Sequence, residues 1–146
     1  MTGVVWTLCA THREIERALE CLIRIAKESS GGALREPAAF AEGLRFFRVV
    51  APEHSATEEE TVFPRLRRAV QPELVRLLDT LEEEHGCADR AHDEADRLGR
   101  LWLANGRLST AETARLTAIL EGLSGLYERH IRLEESDVFP LLGPTQ

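Results

Sequence analysis

Apolar residues recur along the chain at alternating spacings of three and four. Over Val4 to Glu28 they fall at Leu8, Ile15, Leu19, Leu22, Ile23 and Ala26, the stripe of a helix burying one face, and His12 completes that stripe. Ser29 to Glu36 carries Gly31 and Gly32 and precedes Pro37, which suits the first turn of a new helix. The second stripe takes in Phe40, Leu44, Phe47 and Ala51, then runs through His54 and Glu58 to about Ala69, with a kink expected at Pro52. After a turn at Gln71 and Pro72, the third stripe passes Leu74, Leu78, Leu81, His85, Ala88, His92, Ala95 and Gly99 toward Leu103, and Asn105-Gly106 ends it. Ser109 followed by Glu112 is a capping-box signature for a fourth helix, whose stripe runs from Leu116 through Ile119, Leu120, Leu123 and Leu126 to His130 and Glu134. Four long helices with short turns predict an all-α, antiparallel up-down-up-down four-helix bundle, folded as one domain over 1–146.

Charge and cysteine usage narrow the setting. A formal net charge of -7 argues against nucleic acid or an anionic membrane surface as partner through a general basic field. The local cluster of Arg65, Arg67 and Arg68 reads as a solvated helix end. Cys9, Cys21 and Cys87 have no CxxC spacing, and an odd number suits a reducing compartment with buried free thiols, so a cytoplasmic location is expected. The apolar stretch from Val4 to Ala10 has no basic region before it and runs into the charged His12 to Glu16 segment, unlike a signal peptide or a membrane span.

The chemistry enters through an internal echo. His54 and Glu58-Glu59 lead to Val62-Phe63-Pro64, and His130 and Glu134-Glu135 lead to Val138-Phe139-Pro140, with His ten residues before Pro in both copies. An i, i+4 pair puts imidazole and carboxylate on one helical face, able to share one metal or to place the carboxylate as a bridge between two. Counted at about 1.5 Å per residue from the first turn, His12 and His54 both lie about 26 Å from that end of the bundle. The same counting across the next two turns sets Glu58 level with His85, and His85 level with His130, with Glu134 one turn further. A single inward histidine is ordinarily a hydrogen-bonded core residue, and a single HxxxE is common on charged helices. Four inward histidines at matching heights with two inward glutamates are different, since the buried charges would cost several kcal/mol without a cation. Imidazole with carboxylate suits iron or manganese better than zinc.

The flanking groups are less defined. His92, about 10 Å along the axis from His85, reads as core or channel lining. Asp89, one turn after His85, is a further candidate, with direct ligation, a water-mediated contact and an outer contact all open. Glu59, Glu60 and Glu135 point off the stripe and are expected in solvent. Cys9 lies near His12 with a structural thiol favoured, and Trp6, Trp102 and Tyr127 are assigned to bundle packing.

These motifs together resemble the hemerythrin-like family, in particular bacterial cation-binding domains carrying His, HxxxE, His and HxxxE on successive helices. The resemblance spans nearly the whole chain. It implies a non-haem di-iron centre of two iron ions, with an oxo or hydroxo bridge left open. It assigns Glu58 and Glu134 as bridges and His12, His54, His85 and His130 as terminal ligands. Oxygen-carrying members have a further histidine four residues after the one on the third helix, and HxxxxD on the fourth; here Asp89 and Glu134 stand instead. The implied role is therefore binding of oxygen, peroxide or nitric oxide in sensing, storage or protection against oxidative stress, with a protein partner for any signalling output. Peroxide disproportionation, nitric oxide reduction and iron donation to damaged iron centres are the alternatives.

Overall fold

The computed structural model describes residues 3–143, and the first two and last three positions of the sequence, which the expected 1–146 domain would include, lie outside the described residues. Helix α1 covers Gly3–Glu28, α2 Pro37–Thr57, α3 Phe63–Arg67, α4 Pro72–Asn105 and α5 Thr110–Leu133. Two π-helical turns, Glu58–Val62 and Glu134–Val138, and a 3₁₀ turn, Phe139–Leu142, complete the chain. No strand occurs among the described residues.

Local sequence explains the boundaries. Pro37 and Pro72 occupy the first helical positions of α2 and α4, where a missing N–H costs nothing. The Ser109 side chain accepts from the Glu112 backbone N–H at 3.1 Å, and the Glu112 carboxylate accepts from the Ser109 backbone, so the capping box forms. Gly106 takes φ 75° and its N–H reaches the Trp102 carbonyl at 2.7 Å, closing α4. Leu34 donates to the Gly106 carbonyl at 3.1 Å and links the two loops at that end.

The expected continuous helix from Pro37 to Ala69 is interrupted. Helix α2 continues through Pro52, and the departure comes at Glu58–Val62, where the Phe63 N–H reaches back five residues to the Glu58 carbonyl. The fourth helix repeats this, with the Phe139 N–H on the Glu134 carbonyl. Each widened turn ends just before a Phe-Pro pair, Pro64 or Pro140. Proline lacks the N–H of an ordinary helical turn and crowds the carbonyl four residues back, and the extra residue relieves that conflict.

Helix α1 packs on α2 and α5, and α4 packs on the same two. The pairings run in opposed senses: Arg24 meets Glu36 while His12 meets His54, Arg67 meets Asp79 while Arg48 meets Asp96, and Lys27 meets Glu121 while Arg13 meets Glu135. Close approach rests on two glycines. A Cβ at Gly43 would lie 2.7 Å from Leu22 Cδ2, and one at Gly99 2.6 Å from Leu44 Cδ1.

The buried apolar residues form two clusters. The larger contains Ile15, Leu19, Leu22, Phe40, Leu44, Leu98, Trp102, Leu116 and Leu120; the smaller contains Val5, Leu8, Val62, Phe63, Leu78, Leu81, Val138 and Phe139. His12, Glu58, His85 and Glu134 fall between them in sequence along the four long helical segments, with His130 one turn before Glu134, so a polar layer divides the core. Trp102 packs inside as expected, whereas Trp6 is 67% exposed and takes no part in packing the bundle. No helix among the described residues is long and apolar enough to cross a membrane.

Candidate metal centre

Glu58, Glu134 and His12 are fully buried, and His54, His85 and His130 nearly so. Each carboxylate divides its oxygens between two histidine pairs. Glu58 Oε2 lies 3.1 Å from His54 Nε2 and 3.6 Å from His12 Nε2, while Oε1 lies 2.9 Å from His85 Nε2 and 4.0 Å from His130 Nε2. Glu134 Oε1 is 3.0 Å from His12 Nε2, and Oε2 is 3.3 Å from His130 Nε2. Ring centroids of His12 and His54 are 4.7 Å apart and those of His85 and His130 4.8 Å. Two four-residue groups result, His12-His54-Glu58-Glu134 and His85-His130-Glu58-Glu134, each with its ligand atoms within 4.8 Å of one another. All six sequence-derived candidates therefore meet, and both groups share both glutamates.

The imidazoles are held from behind. His12 Nδ1 is 2.7 Å from Glu135 Oε2, His85 Nδ1 2.5 Å from Glu59 Oε2, and His130 Nδ1 2.9 Å from Glu84 Oε1. A carboxylate on Nδ1 keeps the proton there and turns the Nε2 lone pair inward. Phe139 stacks on His12 at 5.7 Å and Phe63 on His85 at 6.1 Å. Each copy of the echo thus supplies a histidine, an inner glutamate, an outer glutamate and a phenylalanine, the last two acting on a histidine of another helix.

This corrects the expectation that Glu59 and Glu135 are merely solvated. The doubled glutamate in both copies was the available signal, and in each copy a π turn starts at the inner glutamate and contains its successor. Glu84, beside His85 in sequence, had no such signal. Asp89 is exposed and belongs to neither group. His92 is half-buried at the edge of the larger core cluster, hydrogen-bonded with the Tyr127 hydroxyl at 2.9 Å and stacked on Phe47. Burial pushes Cys9 up to about 11, aided by Glu135, which keeps it a protonated thiol beside His12. The expectation of buried thiols fails at all three: Cys87 is exposed, and Cys9 and Cys21 are half-buried.

Electrostatics and hydrogen bonding make opposite demands on the layer. Burial disfavours a charged His12 or His130, but the carboxylates of Glu134 and Glu58 outweigh it and raise them to about 9 and about 10. Burial likewise disfavours a charged Glu58, yet the surrounding imidazoles, His12 and His130 foremost, hold it well below the usual carboxylate range. Despite these short separations the ring N–H directions miss the oxygens. Both oxygens of Glu58, both of Glu134 and Nε2 of His12 are buried with no hydrogen-bond partner. A buried carboxylate oxygen left in this way is strongly unfavourable, and lone pairs converging on one space are what a cation completes. The residues present therefore fit a metal.

A family model described as the hemerythrin HHE cation-binding domain matches residues 4–142. The chain belongs to that family. No curated protein and no solved structure matches it. As a hemerythrin HHE domain with a buried cluster of histidines and glutamates, it is a metal-binding protein.

Proposed function

We propose that this HHE domain holds a non-haem di-iron centre and binds oxygen, peroxide or nitric oxide there, in sensing, storage or protection. The observation that carries this reading is the sharing of Glu58 and Glu134 by two ligand groups, with all four of their oxygens lacking hydrogen bonds. Glu58 and Glu134 would be shared by the two metals, His12 and His54 would hold one of them, and His85 and His130 the other. Hard oxygen and borderline nitrogen donors in that mixture suit iron or manganese. When bound, the metals supply redox chemistry and open positions for a small ligand. Glu59, Glu84 and Glu135 orient the imidazoles, and Phe63 and Phe139 cover two of them from solvent. The free thiols agree with a cytoplasmic setting.

The same four-residue donor sets would also serve a second reading, turnover of peroxide or reduction of nitric oxide at the same centre. The test is metal content per chain after growth in iron, with optical spectra before and after peroxide. About two irons per chain and a peroxide-sensitive oxo-bridge band support the di-iron reading. Absence of tightly held metal refutes it, and steady consumption of peroxide separates catalysis from binding.

A further inference from the structure

Two titratable groups, Tyr127 buried and His92 half-buried, lie just beyond the polar layer and belong to neither ligand group. Tyr127 stands three residues before His130 on α5, about 4.5 Å along the axis. It is only 9% exposed, and its hydroxyl lies 2.9 Å from His92 Nε2. His92 stacks on Phe47 with centroids 4.5 Å apart, and the same Phe47 ring lies 6.5 Å from Tyr127. Burial holds His92 down to about 4, so it is neutral, and with Nε2 as the bare nitrogen the phenol donates to it. Burial also pushes the Tyr127 phenol up, and the charges of Asp89, Glu58 and Glu134 act in the same direction, which keeps it protonated at rest. Tyr127 also lines an outer groove with Glu16, Leu19, Glu20, Ser124 and Glu128. One aromatic ring thus stands between the metal layer and the surface, hydrogen-bonded to a neutral base.

Packing alone would be served by Phe and Leu at these positions, without burying a hydroxyl and drawing an imidazole half out of water. A phenol paired with a base can lose an electron and a proton together, which avoids the high-energy phenol cation. We propose that Tyr127 and His92 form a proton-coupled electron relay, in which Tyr127 gives one electron to the peroxide-oxidised metal centre and its phenolic proton to His92 Nε2. The step leaves a neutral tyrosyl radical and an imidazolium. Hydrogen peroxide takes two electrons and two protons to become two waters; the metals provide one electron, Tyr127 the other, and solvent the protons. One equivalent of a one-electron reductant reaching the outer groove restores the ring as His92 returns the proton, and a second equivalent replaces the electron the metals gave. The relay rests on the di-iron reading above.

The chain contains one tyrosine, so ring-deuterated tyrosine labels a single site. The iron-loaded full chain is mixed with hydrogen peroxide, freeze-quenched and examined by electron paramagnetic resonance. The relay predicts a narrow organic-radical signal whose hyperfine splitting collapses on ring deuteration. The signal is lost in Tyr127→Phe at unchanged iron content, and its yield falls several-fold in His92→Phe. Iron that is oxidised, by its optical spectrum, with no radical or with a radical indifferent to deuteration overturns the relay alone. Protein that takes up no iron overturns the relay together with the di-iron reading. The labelled wild-type protein decides the matter even where a variant fails to fold.

Discussion

The outer carboxylates offer the most quantitative check on how the metal is held. Glu84→Gln, Glu135→Gln and Glu59→Gln each keep an oxygen acceptor for the histidine Nδ1–H and remove one negative charge. Across an imidazole ring, a separation on the order of 6 Å at an effective dielectric near 20 gives about 3 kcal/mol per unit charge, before exposure screens it. Side-chain exposure is 19% for Glu84, 28% for Glu135 and 40% for Glu59, and Glu135 is further shared with Arg13 at 2.7 Å. Screening therefore orders the losses as Glu84→Gln, then Glu135→Gln, then Glu59→Gln. The first should approach a hundredfold loss of metal affinity and the last about tenfold, or about 1.4 to 2.7 kcal/mol. Competition with a chromophoric chelator at fixed pH measures all three, with circular dichroism confirming the helices. His54 has no outer carboxylate and its Nδ1 is unbonded, so Glu53→Gln, next to it in sequence, serves as the control. Equal affinities for all three variants and wild type would refute the idea that these carboxylates tune the metal.

Other perturbations test separate parts of the structure. Glu58→Ala or His130→Ala should lower metal content and melting temperature together, since each removes a donor and strands its neighbours; unchanged stoichiometry by elemental analysis would sink the ligand assignment. His12 and His130 are raised to about 9 and about 10, so in metal-free protein their stabilising contribution is fully present below the unfolded value near 6.5. That contribution is lost as pH rises through 9 to 10, and calorimetry with chelator present should record a falling melting temperature across that window. Metal uptake below it should release protons, measurable in weakly buffered solution. Gly99→Ala would put a Cβ 2.6 Å from Leu44 Cδ1 and 3.2 Å from Phe40 Cε2, and should cost about 1 to 3 kcal/mol in urea denaturation; wild-type stability would show that α2 and α4 can part without penalty.

Much of this protein was legible in the order of its residues. Helix periodicity, the prolines at helix starts, the Ser109-Glu112 box and Gly106 are local signals, because helices are built from contacts three and four residues apart. The six inward histidines and glutamates were legible for the same reason: a constant rise per residue converts position in sequence into height in a bundle. Tertiary structure alone decided what surrounds them. Glu59 and Glu135 looked solvated on a regular helix, but a π turn begins at each inner glutamate, and the following carboxylate rests on a histidine of another helix. Glu84, the Tyr127–His92 pair and the exposure of Trp6 and Cys87 likewise depend on which helix lies opposite. Heights along a helix add up residue by residue, whereas rotation about its axis and the identity of the facing side chain are settled only when four helices pack at once.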